Sequence, residues 1–329
     1  MNVLVTGAAG FIGSHLAEAL IAAGHEVTAY DDLSGGFERN VPAGAHFVKG
    51  SILNAAKLSF ICRQHKYGAV YHLAAYAAEG LSHFIRRFNY ENNVVGSMNV
   101  INAAVESGVP KVIFTSSIAV YGHGEPPFSE GDSLNPADPY GIAKLAVERD
   151  LEAAFQMFGL DYTIFRPHNV IGPRQNIGDK YRNVAGIFMN QLLLGEPLTI
   201  FGDGKQTRAF TCVEDVVRPM VQALTLKETS RGTYNVGGDT AISVNDLASM
   251  IFEVSGITGR VTHLPLRKEV THAYSSHSKL ERVFGKHELV PLKTGLSEMW
   301  KWARDLGPQP ATPLPCAIEV RKNLPPSWG

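Results

Sequence analysis

The chain carries the stretch Asn2-Val3-Leu4-Val5-Thr6-Gly7-Ala8-Ala9-Gly10-Phe11-Ile12-Gly13. Its first five residues form an apolar, β-branched run that is typical of a strand buried on both faces. The glycines follow at once, and residues 14–23 then show the apolar spacing of a helix before Gly24, a residue that favours a helix end. The order of strand, glycine-rich turn and helix indicates the first part of a dinucleotide-binding unit.

The glycines stand where a bound pyrophosphate needs them. Gly7 permits the tight turn, Gly10 lets the backbone approach the anion, and Gly13 lets helix and strand pack closely. The anion would lie over the helix N-terminus, where free N–H groups and the helix dipole favour negative charge. Together with Phe11 and Ile12, these glycines are our first candidate cofactor-binding residues.

A second strand, predicted over residues 25–30, ends at Asp31-Asp32. A carboxylate at this position can accept hydrogen bonds from the adenosine ribose and would repel a 2′-phosphate. The first downstream arginine is Arg39, several residues away, so the sequence favours NAD over NADP. Alternatively, Asp31 is only a turn residue, although Asp32 alone could serve that turn.

Strand-like segments recur between helical stretches further along the chain. The predicted strands cover residues 45–48, 69–73, 111–116 and 162–166, and the predicted helices cover 92–107, 140–158 and 294–306. This alternation predicts an α/β fold with a Rossmann-type doubly wound parallel sheet.

After Gly172-Pro173 the predicted elements become short and irregular. We therefore predict an NAD-binding domain over residues 1–172, to which parts of later segments return. A smaller C-terminal α/β substrate-binding portion would cover residues 173–307. Residues 308–329 would form a proline-rich tail that is extended over the surface.

Composition excludes several classes of protein. The chain has 329 residues, 30 basic and 31 acidic side chains, and 45% hydrophobic content, enough for a substantial core. The charge balance gives no reason to expect nucleic acid, and no apolar run approaches the length of a membrane span. Cys62, Cys212 and Cys316 are scattered without metal-ligand spacing, so we expect a reduced, cytoplasmic protein without a metal site.

Tyr140 and Lys144 stand four residues apart on a predicted helix, which puts both side chains on one face. A lysine ammonium beside a phenol favours the phenolate and would lower a pKa that is ordinarily about 10. Such a tyrosine can exchange a proton with a sugar or alcohol hydroxyl while a nicotinamide exchanges the hydride. An amphipathic helix that carries the pair by chance is the alternative, and the upstream glycine-rich turn favours the catalytic interpretation.

Several motifs occur in the order typical of one family. They lie at residues 70–75, 116–122, 140–144, 166–173 and 201–210. Over about residues 1–300 the chain resembles the extended short-chain dehydrogenase/reductases of the NAD-dependent epimerase/dehydratase family. Within that family it is most similar to the UDP-glucose 4-epimerase branch.

The resemblance implies roles for particular residues. Ser117 would act with Tyr140 and Lys144 in catalysis, and Asn169 and Arg208 would bind the substrate diphosphate. The expected cofactor-binding residues beyond the glycine turn are Asp31, Asp32, Ser51, Ile52, Leu73, Ala74, Ala75, Asn92, Ser116, Tyr140 and Lys144. The expected substrate-binding residues are Ser117, Tyr140, Asn169, Arg208, Glu79 and Arg267. Ser51 replaces the usual aspartate near the adenine; Ser116 is alternatively a buried turn hydroxyl, and Arg208 a surface arginine.

The resemblance also implies a reaction. Relatives that dehydrate or decarboxylate carry an acidic residue shortly after the catalytic hydroxyl, and 3,5-epimerases carry a cysteine, whereas this chain has Ile118 and Ala119 there. Tyr140 would therefore remove a proton from the sugar 4-hydroxyl while C4 gives its hydride to NAD⁺. The 4-keto sugar would then rotate, and it would regain the hydride and the proton with its other face toward the cofactor.

The exact substrate and enzyme class stay open from sequence. Glu79, Lys180 or Arg182 could recognise an amine or carboxylate substituent, or be solvated loop charges, and our hypothesis is a nucleotide sugar less common than UDP-glucose. Other possibilities are a 2-epimerase, a 4-ketoreductase, a dehydratase or a non-catalytic NAD-sensing binding module. The family implies a homodimer joined through helices 92–107 and 140–158, for which Val95, Met98, Ala146 and Leu151 supply apolar candidates or core residues.

Overall fold

The computed structural model describes residues 1–267 and 269–328. Its strands are β1 Asn2–Thr6, β2 Glu26–Asp31, β3 His46–Lys49, β4 Ala69–His72, β5 Lys111–Thr115, β6 Asp161–Pro167, β7 Val170–Ile171, β8 Leu198–Phe201, β9 Thr207–Ala209, β10 Thr211–Cys212, β11 Gly232–Val236, β12 Ala241–Ser243, β13 Val261–Leu264 and β14 His272–Ala273. Its α-helices are α1 Phe11–Ala22, α2 Ala55–Gln64, α3 Glu79–Ser82, α4 Arg86–Tyr90, α5 Gly96–Glu106, α6 Pro139–Phe158, α7 Val184–Leu193, α8 Val213–Gln222, α9 Val244–Ser255, α10 Ser278–Phe284 and α11 Leu292–Leu306.

A seven-stranded sheet, within the described residues, has the order β11-β6-β5-β4-β1-β2-β3. Every neighbouring pair in this sheet is parallel. The prediction of a doubly wound parallel sheet is confirmed. The strand order reverses beside β1, and a crevice for ligands is expected at the carboxyl ends of the strands at such a point.

Apolar side chains cover both faces of this sheet. One face packs against α1 and α8, with Leu16 and Met220 fully buried. The other packs against α2, α5 and α6, where Leu58 and Leu151 are fully buried. Leu151 therefore belongs to the core and offers no surface for a dimer.

Two helices begin more than two residues from their predicted starts, whereas α6 and α11 begin within two. Helix α1 begins at Phe11, earlier than the predicted residue 14, because Gly10 is extended and acts as its N-cap. A π-helical turn, Glu91–Val95, precedes α5. In that turn, Asn93 exchanges two hydrogen bonds with the backbone of Tyr76, at 2.8 and 3.0 Å. The widened turn thus ties α5 to the segment that follows β4.

Residues after β7 build a smaller α/β portion with its own core of α7, α9 and α11. β11 returns from this region to the edge of the main sheet. The domain boundaries at 172 and 307 stay a prediction. No helix in the described ranges is long and apolar enough to cross a membrane.

The 308–328 segment follows an extended, largely exposed course, as expected. Its last described residue departs from that expectation, because Trp328 is only 5% exposed. The indole packs against Phe84, Tyr181 and Phe201. An aromatic ring gains more from this apolar contact than from solvent, so the segment is anchored at that end.

Candidate active site

A deep cleft, the main cleft, opens at the carboxyl ends of the parallel strands. Most of the predicted site residues line it: Gly7, Gly10, Phe11, Ile12, Gly13, Asp31, Asp32, Ile52, Leu73, Ala74, Ala75, Glu79, Asn92, Ser116, Ser117, Tyr140, Lys144 and Asn169. Ser51, Arg208 and Arg267 lie outside it. The structure therefore brings most of the predicted residues together in one continuous cleft.

The glycine turn can hold a phosphate group only without side chains. Gly7 has a φ of +74°, and a Cβ there would lie 2.7 Å from the amide nitrogen of Ala74. A Cβ on Gly13 would overlap the Gly7 carbonyl oxygen. Because α1 begins at Phe11, its free amide groups lie at the edge of the turn. These residues fit the pyrophosphate of a dinucleotide.

The Asp31 carboxylate, at the end of β2, accepts hydrogen bonds from the amides of Ala9 at 3.0 Å and Leu33 at 2.8 Å. Burial raises the pKa of Asp31, and those amides oppose the shift. Asp32 accepts from the Ser34 amide at 2.9 Å. Asp31 thus supports the turn, as the alternative interpretation has it, and also lines the cleft, while its role toward the adenosine ribose stays a prediction.

Ser51 does not face the cleft as predicted. Its hydroxyl accepts from the Leu53 amide at 3.3 Å, and its carbonyl accepts from the Tyr30 hydroxyl at 2.8 Å. The serine side chain is too short to leave this local turn and reach the cleft. Gly50 and Ile52 line the cleft instead.

His72, at the end of β4, stabilises the part of the cleft wall that Leu73 and Ala74 form. Its ring lies 2.8 Å from the hydroxyl of Thr6 and 2.8 Å from that of Ser97. Burial lowers the pKa of His72 to about 3, and the nearby Lys144 acts in the same direction. The ring is therefore neutral and acts as a structural bridge between β1, β4 and α5.

Helix α6 places Tyr140 and Lys144 in the cleft. Asp138 is its N-cap and accepts from the Gly141 amide at 2.9 Å, so the helix starts one residue before the tyrosine. The Lys144 ammonium nitrogen lies 5.8 Å from the centroid of the Tyr140 ring and donates to the Thr115 carbonyl at 2.7 Å. The predicted pair is thus assembled on one helical face.

Burial governs the proton affinities of this pair. It raises the pKa of Tyr140, the negative charge of Glu79 raises it further, and the Ser117 hydroxyl opposes the change. Burial lowers the pKa of Lys144 to about 7, with Glu148 opposing. The prediction that the lysine lowers the phenol pKa is therefore wrong for the polypeptide's own groups, because desolvation penalises both charged forms.

The two serines after β5 have different partners. The Ser117 oxygen accepts from the Ala119 amide at 3.1 Å and faces Tyr140. Ser116 donates to the Glu148 carboxylate at 2.5 Å. Ser116 thus matches the alternative of a buried turn hydroxyl, although it also borders the cleft.

Glu148 is the residue that sequence reasoning missed. It lies one turn beyond Lys144 on α6, is 3% exposed, and forms a buried ion pair with Arg166 at 2.6 Å. Arg166 also donates to the Tyr121 hydroxyl at 2.8 Å. The spacing from Lys144 to Glu148 was visible in the sequence, but their common burial was not.

The cations expected to bind substrate lie beside the main cleft. Arg208 borders a side pocket that Glu79, Asp138 and Asn169 also line. Glu79 and Asn169 line the main cleft as well, and Asp138 is the N-cap of α6. The Arg208 guanidinium donates to the Thr207 carbonyl at 2.9 Å and to carbonyls of residues 270 and 271. Arg208 is therefore only 15% exposed and is not the alternative surface arginine.

Arg267 lies further along the same side. It pairs with Glu269 at 2.9 Å, and its guanidinium carbon lies 4.5 Å from the Phe201 ring centroid. Asn169 itself lines the main cleft and donates to the Ala209 carbonyl at 3.2 Å. Of Asn169, Arg208 and Arg267, only Asn169 lines the main cleft.

Charged loop residues differ in their access to the cleft. Glu79 is solvent-exposed inside the cleft, yet protein groups surround it closely. This partial desolvation is the main cause that raises the pKa of Glu79, and the negative charge of Asp138 raises it further. Arg182 lines the cleft, pairs with Asp179 at 2.6 Å and stacks on Tyr76. Lys180 is exposed and turned toward the Tyr181 ring, so it fits the alternative of a solvated loop charge.

A glycine turn, a helix N-terminus and a Ser-Tyr-Lys set around one cleft define a class of nucleotide-dependent enzyme. Residues 3–237 match the NAD dependent epimerase/dehydratase family, and the chain belongs to that family. The resemblance inferred from sequence is confirmed.

Individual relatives cover nearly the whole chain. The UDP-glucose 4-epimerase of Mycolicibacterium smegmatis is 34% identical, over 93% of this chain and 99% of its own. The UDP-N-acetyl-alpha-D-glucosaminuronate decarboxylase of Bacillus cytotoxicus is 34% identical, over 92% and 98%. The structure of Thermotoga maritima UDP-glucose 4-epimerase with UDP-glucose superposes with a TM-score of 0.88 at 34% identity, over 93% of this chain and 99% of that one.

Proposed function

We propose that this protein is an NAD-dependent epimerase of a nucleotide-diphosphate sugar, acting at C4 through a 4-keto intermediate. The observation that carries the proposal is the convergence of Tyr140, Ser117 and Lys144 on the cleft that also contains the glycine turn. Relatives named UDP-glucose 4-epimerase support the reaction. The resemblance implies an acidic residue shortly after the catalytic hydroxyl in decarboxylating relatives, whereas this chain has Ile118 and Ala119 there.

The cleft fits NAD. Gly7 and Gly13 permit the tight packing of the glycine turn, whose free amides would bind the pyrophosphate, and Asp31 with Asp32 would receive the adenosine ribose. NAD⁺, when bound, supplies a hydride acceptor and a positively charged ring. That positive charge would lower the pKa of the Tyr140 phenol, which burial otherwise raises.

Tyr140 is the proton carrier in this account. Its phenolate would accept the proton of the sugar 4-hydroxyl as C4 loses its hydride, and the phenol would return a proton to the same oxygen once the hydride is restored on the opposite face of C4. Ser117 donates to the reacting oxygen and holds it beside the phenol. Lys144 binds near the cofactor ribose and adds positive charge when protonated. The diphosphate anchor lies away from C4, so the keto sugar can turn while it stays bound.

The Tyr140→Phe variant tests the reaction. It should lower kcat by about 10²–10⁴-fold, the usual contribution of a general acid–base, while NAD⁺ binding stays nearly intact. Substantial residual turnover would refute the role of Tyr140. Absorbance of the reduced nicotinamide during turnover separates the mechanisms: no net change supports an epimerase, and a steady stoichiometric change would indicate a reductase.

The sugar itself is our second proposal. Glu79, Arg182 and the amide side chains of Gln175 and Asn176 give the cleft a polar wall. This supports a nucleotide sugar less common than UDP-glucose, with an amine or carboxylate substituent that such side chains can recognise. A panel of UDP-, GDP-, CDP- and dTDP-sugars tests the idea, and a clear optimum for UDP-glucose and UDP-galactose would remove it.

We also propose a cytoplasmic homodimer. Cys62, Cys212 and Cys316 are free thiols, which suits a reducing compartment. Helix α6 exposes Ile142 (43%) and Met157 (76%), with Ala146 between them on the same face. An exposed apolar stripe of this kind suits contact with a second copy.

A further inference from the structure

The 308–328 segment contacts one wall of the main cleft through Thr312. The Thr312 amide donates to the Gly178 carbonyl at 2.9 Å, and its hydroxyl donates to Asn176 at 2.9 Å. Asn176 lines the main cleft. The segment therefore fixes the loop after β7 from outside.

The same segment contacts the opposite wall through Glu319. The Glu319 amide donates to the Phe84 carbonyl at 2.8 Å. Its carboxylate accepts from the amides of Arg87 at 2.8 Å and Phe88 at 3.0 Å. Because Phe88 lines the main cleft, the segment bridges two walls that come from distant parts of the sequence.

Trp328 lies where these two walls approach each other. Its ring centroid is 6.2 Å from that of Phe84 and 5.4 Å from that of Tyr181, both in edge-to-face geometry. A Cβ on Gly80 would be only 3.1 Å from the indole. The indole thus rests against the backbone next to Glu79.

Trp328 also holds Arg267. The guanidinium carbon of Arg267 lies 5.5 Å from the indole and 4.5 Å from the ring centroid of Phe201. Aromatic rings attract a guanidinium through their negative faces and restrict its rotamers. The arginine, which is paired with Glu269, is thereby held next to the Glu79-Gly80 wall, and a guanidinium already fixed in this way loses less entropy when it binds an anion.

We propose that Trp328 is a positioning residue for the nucleoside diphosphate part of the substrate, acting through Arg267 and the Glu79-Gly80 wall. This inference rests on the proposed function, because it assumes a nucleotide-sugar substrate. It predicts that loss of the indole weakens substrate binding, raises KM and leaves kcat and the dinucleotide site nearly unchanged.

The test compares Trp328→Ala and Trp328→Phe in the full-length protein. Calorimetry with UDP, dTDP, GDP and CDP first identifies the best nucleoside diphosphate for the wild type, and each variant is then titrated with it. Trp328→Ala should weaken that binding about tenfold, on the scale of an aromatic anchor residue. Trp328→Phe should retain most of the affinity, and NAD⁺ affinity should change less than about twofold in both.

Two controls separate positioning from general damage. Val320→Ala removes a 39% exposed side chain from the same segment and should leave all affinities unchanged. Arg267→Ala should weaken nucleoside diphosphate binding, and adding Trp328→Ala to it should cost little more, because residues that act as a unit are not additive.

The inference is overturned if Trp328→Ala binds the nucleoside diphosphate as the wild type does, or if the two substitutions add independently. It is also overturned if NAD⁺ and nucleoside diphosphate affinity fall together with the melting temperature, since that indicates a structural role alone. If the wild type turns over nucleotide sugars, any of these results for the variants removes only this inference. A wild type that binds none of the four nucleoside diphosphates removes the proposed function as well.

Discussion

Burial shifts the pKa values of Tyr140 and Lys144, the pair that the proposed chemistry requires, in opposite directions. It raises the pKa of Tyr140 and lowers that of Lys144 to about 7. The side chains are close enough to act together, yet neither charged form is favoured by the polypeptide alone. In our proposal, the charge that makes the phenol acidic therefore comes in part from the bound cofactor.

His72 makes a separate prediction about pH and stability. Its pKa is about 3 in the fold and 6.5 when unperturbed, so the unfolded chain binds an additional proton between those values. The stability due to the neutral ring is present above pH 6.5 and is lost as pH falls toward 3.

His72→Gln should therefore reduce the pH dependence of the free energy of unfolding, while the amide can still contact Thr6 and Ser97. We expect a slope smaller by about 1.4 kcal/mol per pH unit across that window. Urea denaturation of both proteins at several pH values measures it. Parallel curves for the two proteins would show that His72 does not titrate in this way.

At the scale of elements, α6 supplies both the chemistry and the support beneath it. Its cleft-facing residues are Tyr140 and Lys144, and one turn further its buried face presents Glu148 to Arg166 and Ser116. The same helix therefore couples catalytic geometry to a buried ion pair between α6 and β6.

Glu148→Gln should destabilise the protein by about 3–5 kcal/mol, because it leaves Arg166 as an uncompensated buried charge. The matched control is Glu152→Gln on the same helix, where the exposed pair with Arg149 should cost less than about 1 kcal/mol. Chemical denaturation compares the two. Equal effects would mean that burial does not strengthen the Glu148–Arg166 pair.

Sequence patterns predicted the helices and strands well because hydrophobic periodicity and turn-forming residues are local features of the sequence. The predicted strand over residues 111–116 and the helix over 140–158 match β5 and α6 within one residue. The π-helical turn before α5 was not predictable, because it depends on Asn93 meeting the backbone of Tyr76. The first turn of α1, Phe11–Gly13, was missed because the glycine-rich sequence that builds the turn also continues into the helix.

The site was predictable in its residues but not in its environment. Tyr140, Lys144 and Ser117 were identified by type and order, and all three line the cleft. Pairing of Glu148, the orientation of Ser51 and the burial of Trp328 depend on long-range packing, which no local pattern encodes. The direction of the Tyr140 pKa shift failed for the same reason, since desolvation is a property of the fold.

At the scale of the whole molecule, the cleft is bounded by segments far apart in sequence. The glycine turn, the end of β5, the loop after β7 and the residues near Glu79 meet there, and the 308–328 segment joins two of these walls from outside. A change in this surface segment can therefore alter the walls of the cleft without touching Tyr140.

The surface of α6 carries the prediction for assembly. Ala146→Lys places a charge in the middle of the stripe formed with Ile142 and Met157, and it should convert the proposed dimer into monomers. Ser249→Lys, at another exposed position on α9, is the control and should leave the mass unchanged. Light scattering after size-exclusion chromatography gives the masses. A monomeric wild type, or a dimeric Ala146→Lys variant, would contradict the proposed interface.

The acidity of Tyr140 is the quantity on which the reaction depends, and it can be measured directly. The near-ultraviolet absorbance of the phenolate is titrated against pH in the NAD⁺ and NADH complexes, with Tyr140→Phe subtracted to isolate this side chain. We predict that Tyr140 ionises well below its ordinary value of about 10 with NAD⁺ and at distinctly higher pH with NADH, which lacks the positive ring charge. An NAD⁺ complex in which the phenol ionises at or above that ordinary value would contradict the account.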